Sequence, residues 1–116
     1  TVRFTALYDT GNELTDPVTG EGVLVAEASA LAPLLDTDAK LLERDPLDSF
    51  QELADLPLLR GRLRLLPCGC VTGSGSLLLL LRPDEVRVDG RKSGVSVAVS
   101  RAELSADGLY QALISE

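Results

Sequence analysis

Leu7-Tyr8-Asp9-Thr10-Gly11-Asn12 is the stretch from which the rest of this chain can be read: an apolar strand running straight into Asp-Thr-Gly. Upstream, Val2, Phe4 and Ala6 alternate with Arg3, Thr5 and Leu7, the two-residue period of a strand that delivers Asp9 to its end. A carboxylate at a strand end projects into a cleft, and a glycine beside it removes the Cβ that would obstruct a substrate backbone. The threonine hydroxyl both donates and accepts hydrogen bonds, so it can brace the loop. Taken alone, the tripeptide also reads as a turn that closes a strand, because Asp and Gly are turn residues.

The surrounding residues narrow that choice. Asp9 to Val25 reads Asp-Thr-Gly-Asn-Glu-Leu-Thr-Asp-Pro-Val-Thr-Gly-Glu-Gly-Val-Leu-Val, with Glu27 close behind. Further on, Leu78 to Leu81 lead into Arg82-Pro83-Asp84-Glu85-Val86. On the Asp-Thr-Gly-Asn-x-Leu-x-Asp-Pro-x-Thr-Gly and Arg-Pro-Asp-Glu-Val strings, the chain resembles the peptidase domain of the sporulation sigma-E-factor-processing family. These are membrane-tethered aspartic peptidases of endospore formers, which present their catalytic carboxylate on Asp-Thr-Gly. The strings bracket residues 9 to 86, so the resemblance covers nearly the whole chain.

The resemblance implies a mainly β, retropepsin-like fold: a closed β-barrel of the acid-protease type with one or two short helices. Residues 1–116 would form a single aspartic peptidase domain. Asp9 would be catalytic, in an active-site loop completed by Thr10, Gly11 and Asn12. The membrane-spanning N-terminal half of such proteins would lie outside this sequence, with the domain at the cell membrane, facing the mother-cell cytoplasm.

Composition sets limits of its own. A chain of 116 residues, 45% apolar and 25% charged, has the usage of one soluble globular domain. Aromatics make up 3%, so the core must be aliphatic, chiefly Leu and Val. The longest apolar run, Leu77 to Leu81, falls far short of the ~20 residues that span a bilayer. Histidine is absent, which excludes Ser-His-Asp and Cys-His catalysis and histidine zinc sites. An enzyme made from this chain works mainly with carboxylates and needs neither metal nor cofactor. The net charge of −7 argues against nucleic acid as a partner. Cys68 and Cys70 are too few for a closed metal site and read as free thiols in a reducing, cytoplasm-facing compartment.

Along the chain, Asp16-Pro17 and Gly20-Glu21-Gly22 flank a polar turn, and Val23-Leu24-Val25 resumes as a buried strand. Ala26 to Leu35 reads as a short helix. Ser49 to Glu52 fits a capping box that opens a second one. Arg60, Arg62 and Arg64 alternate with Gly61, Leu63 and Leu65, a charged sheet edge or a strip for an acidic peptide. Pro67 to Ser76 followed by five leucines is a hairpin with a glycine-rich tip. There Gly73, Ser74 and Gly75 are a candidate flap over a peptide. Asp89-Gly90 turns the chain into a strand carrying Val95, Val97 and Val99, and Ser105 caps a closing helix through Ile114. Viral relatives end the strand before that helix in two apolar residues and Gly. Val99-Ser100 matches that place without the Gly.

One Asp-Thr-Gly is present, whereas the chemistry needs two carboxylates. The expected solution is a homodimer that contributes one Asp9 from each subunit. The resemblance implies a sigma factor precursor as the protein substrate, and an activating signal protein that acts through the membrane half. Two rivals stand beside this reading. One is a non-catalytic β-rich interaction module that retains the turn; the other is a retroviral-like peptidase with an unrelated substrate.

Overall fold

The computed structural model describes residues 2–8, 16, 19–35, 39–57, 59–68 and 76–114. The first two strands are β1 (Ala6–Tyr8) and β2 (Val23–Glu27), followed by three short helices, α1 (Ala28–Leu35), α2 (Ala39–Leu42) and α3 (Pro46–Leu53). A hairpin of β3 (Leu63–Cys68) and β4 (Ser76–Leu81) comes next, then a smaller one of β5 (Val86–Val88) and β6 (Arg91–Ser93). The chain closes with β7 (Ser96–Ser100) and β8 (Ala112–Ile114).

Six strands form one sheet in the order β1-β8-β2-β7-β4-β3. The mainly β class matches the expectation. Among the described residues, however, the sheet is open, with β1 and β3 at opposite ends, instead of the expected closed barrel. Two of its pairings are parallel, β1 with β8 and β2 with β7. Parallel neighbours need long crossovers, and the chain between β2 and β7 supplies one with its three helices and two hairpins.

Strand alternation divides the sheet into two faces. Leu24 and Ala26 of β2 face the main core with Leu31, Leu42 and Leu53 of the helices. Val23 faces the other way, toward Leu66, Leu80 and Ala98. A strand buried on both faces must be apolar at consecutive positions, which is why Val23 to Ala26 carries no polar residue. The Val86/Val88 hairpin turns on Asp89 and Gly90, at φ 52° and 80°. Both central residues are left-handed, the conformation that a two-residue hairpin favours.

Several local expectations are corrected. The helix read from Ser49 begins at Pro46, with Asp45 as its cap and its side chain accepting from the Leu47 amide at 3.0 Å. Ser49 is buried inside the helix and donates its hydroxyl to the Leu41 carbonyl at 2.6 Å. Asp89-Gly90 leads into β6, and β7 starts only at Ser96. The expected closing helix is absent: residues 105–110 turn and 112–114 form β8. Gly108 at φ 74° sits in the middle of that span and breaks right-handed helix geometry. Leu109, within that expected helix, is 71% exposed. Ser105 instead organises a tight turn, donating to Asp107 and accepting from the Leu109 amide. The Ser105 hydroxyl, aided by the Leu109 amide, holds the Asp107 carboxyl below its ordinary pKa.

Candidate active site

The residues singled out as catalytic loop and flap, Asp9, Thr10, Gly11, Asn12, Gly73, Ser74 and Gly75, lie outside the described residues, as does Cys70. Their flanks are described. β1 ends at Tyr8, the residue before Asp9, and is registered on β8 through Ala6 with Ala112, Leu7 with Leu113 and Tyr8 with Ile114. Gln111 clamps the entry to this strand pair: its amide N–H donates to the Thr5 carbonyl at 2.8 Å. Its side-chain oxygen accepts from the Thr5 amide at 3.2 Å. The Tyr8 hydroxyl reaches the Asp89 carboxylate at 3.4 Å, which ties the end of β1 to the small hairpin.

Val99-Ser100, compared with the end of the viral strand before a closing helix, lies on β7, and no helix follows it among the described residues. β7 pairs with β2 and β4. The strand beside β1 is the apolar Ala112-Leu113-Ile114.

The candidate flap stands between paired strands, with Cys68 opposite Ser76 in the β3–β4 register, so the hairpin read from the sequence is present up to the edges of its tip. The arginine strip resolves differently from the expected solvated edge. β3 is indeed an end strand of the sheet. Arg62 precedes it and pairs with Asp84 at 2.5 Å. Arg64 turns to the non-helical face and forms a two-pronged ion pair with Asp16, one contact at 3.1 Å.

Asp16, a turn residue by its sequence, has a second role that the local pattern does not announce. It is 0% exposed. Beyond the two Arg64 contacts, its carboxylate accepts the Ser96 hydroxyl at 2.6 Å. Its backbone holds the following turn as well, the N–H donating to the Glu21 carbonyl and the C=O accepting from Gly20, both at 2.8 Å. The partners are 48 and 80 residues away, on β3 and β7. A signal was available in principle, since Asp16 belongs to the Asp-Pro-x-Thr-Gly string that carries the resemblance.

A pocket of about 190 Å³ opens on the helical side, lined by Leu34, Leu35, Leu59, Leu81 and the Arg62–Asp84 pair. It is smaller than the ~300 Å³ at which ligand sites begin, and its one carboxylate is held by Arg62.

Comparison with known proteins agrees with the motif reading. The sporulation sigma-E factor-processing peptidase of Bacillus subtilis (strain 168) is 31% identical over 121 residues, covering 98% of this chain and 39% of that protein. Its counterpart in Priestia megaterium is 28% identical over 120 residues, with the same coverage of 98% and 39%. The chain thus spans about two fifths of the length of these curated relatives. No solved structure gives a significant match. The family model described as sporulation factor SpoIIGA, peptidase family U4, matches residues 1–116, and the chain belongs to that family.

Proposed function

We propose that this chain is the peptidase domain of an aspartic endopeptidase that removes the pro-sequence from a sporulation sigma factor precursor. The observation that carries the reading is the chain's single Asp-Thr-Gly, placed directly after a strand that is hydrogen-bonded into the sheet. The family and the names of the relatives support peptide-bond hydrolysis and the substrate class.

The mechanism uses two Asp9 carboxylates, one from each subunit of a homodimer. Like charges this close cannot both ionise easily, so the pair shares a proton and titrates as a unit. The ionised member draws a proton from water, and the protonated member gives its own to the scissile amide. Thr10 holds the two loops together across the twofold axis, Gly11 lies against the substrate backbone, and the Asn12 amide donates toward Asp9. Gly73, Ser74 and Gly75 close over the bound peptide.

In this reading a second subunit would meet the exposed end of an apolar row on the non-helical face. That row runs from the buried Ala98 and Leu80 through half-buried Val25 and Leu113 to Leu7, which is 45% exposed. In this proposal the domain faces the mother-cell cytoplasm, tethered to the membrane by a segment outside this sequence. A signal protein acting on that segment brings the subunits together.

Co-expression with the precursor tests the assignment. Asp9→Asn keeps the side chain's shape and removes its proton chemistry, so the expected result is a folded protein with processing abolished. Undiminished cleavage by Asp9→Asn would refute the catalytic role.

A further inference from the structure

Asp16 stands seven residues after Asp9 and is carried wholly into the interior. Burying a carboxylate is costly even when it is paired, and an apolar replacement of similar size is often at least as stable. A charge retained at a wholly buried position therefore points to geometry more than to stability. The geometry is well specified. Each carboxylate oxygen faces one guanidinium nitrogen of Arg64, and one of them also accepts the Ser96 hydroxyl. Bidentate pairing fixes the plane of a carboxylate, which a lysine cannot do.

We infer that Asp16, Arg64 and Ser96 form a positioning device for the reaction proposed above, on which this inference rests. The chain that contains Asp9 enters from β1, fixed by its register on β8. It leaves at Asp16, fixed by residues of β3 and β7. Seven residues held at both ends have far fewer arrangements than seven held at one. The cluster thereby sets where each Asp9 stands relative to its twin. It touches neither substrate nor reacting atoms; it acts through the loop.

The test uses the full-length protein with its precursor substrate and compares Ser96→Ala, Arg64→Lys and Asp16→Asn with wild type and with Asp9→Asn. Thermal unfolding of each is recorded first, and kcat and KM are measured well below the lowest midpoint. A small misplacement of a catalytic group costs up to about a hundredfold in rate, so Asp16→Asn and Arg64→Lys should lose roughly ten- to a hundredfold in kcat at unchanged KM. Ser96→Ala removes one hydroxyl and no charge, so it keeps the test decisive if Asp16→Asn fails to fold; a several-fold loss in kcat is expected. Wild-type kcat in folded Ser96→Ala and Arg64→Lys overturns the inference, as does a deficit that merely follows the unfolded fraction. Asp9→Asn separates the inference from its premise. If Asp9→Asn still cleaves, the catalytic reading fails; if it is dead while the cluster variants run at full kcat, only the positioning role fails.

Discussion

At the scale of single residues, the Asp16–Arg64 pair is asymmetric, and the asymmetry predicts which half matters more for stability. Asp16 is fully buried, whereas the Arg64 side chain is 37% exposed. Removing the carboxylate leaves a guanidinium that can still reach water. Removing the guanidinium leaves an interior carboxylate without its cation. Arg64→Met should therefore destabilise the domain by about 3–5 kcal/mol, the range for breaking a buried pair from one side. Asp16→Asn, which keeps an acceptor for Ser96, should cost less, about 1–3 kcal/mol. Urea midpoints of the two variants check the order, and a larger loss for Asp16→Asn would mean that buried charge is not the main term. No local pattern in the sequence announces this pair. Asp16 looks like a turn residue because it is one, its backbone closing the turn through Gly20 and Glu21. Its second role depends on residues 48 and 80 positions away. Asp9 is proposed from the sequence for the opposite reason: its motif is contiguous.

At the scale of elements, legibility follows the range of the interactions that build each one. β2, α1 and the β3–β4 hairpin were readable because alternation, an Ala/Leu run and a glycine-rich tip are local signals. β8 was not. It is three residues long, and it is a strand only because Ala112 lies between Ala6 of β1 and Ala26 of β2. The same residues, preceded by Ser105 and spaced as Leu109, Leu113 and Ile114, imitate a capped amphipathic helix. Long-range pairing overrides that resemblance, and Gly108 marks where it fails. The start of α3 went astray in a similar way, since both Asp45 and Ser49 are acceptable caps. Pro46 decides between them, because proline suits the first helical position and has no amide to satisfy. Asp45→Ala should cost about 1 kcal/mol, the usual value of a lost cap. Ser49→Ala would act through the buried contact with Leu41 and not through capping. Chemical denaturation of Asp45→Ala checks this, and an unchanged midpoint would remove Asp45 as the cap.

At the scale of the whole molecule, the proposed reaction depends on how two copies meet. In the proposed mechanism one Asp-Thr-Gly per chain calls for two copies, so activity should rise with the square of monomer concentration while the dimer is weak. The net charge of −7 opposes association, most strongly at low salt. Membrane tethering would offset that repulsion by raising the effective concentration of one subunit near another. The domain by itself should accordingly be monomeric or weakly dimeric, and poorly active at low concentration. Raising the salt should strengthen association by screening the repulsion. Fusing two copies through a flexible linker long enough to span the termini should restore activity and make it linear in concentration, because the second subunit is then always at hand. A fusion with Asp9→Asn in both halves controls for linker effects and should be inactive. Specific activity against concentration, read beside sedimentation, distinguishes the cases. Strong, concentration-independent cleavage by a proven monomer would sink the shared-site mechanism, since a single Asp9 would then suffice.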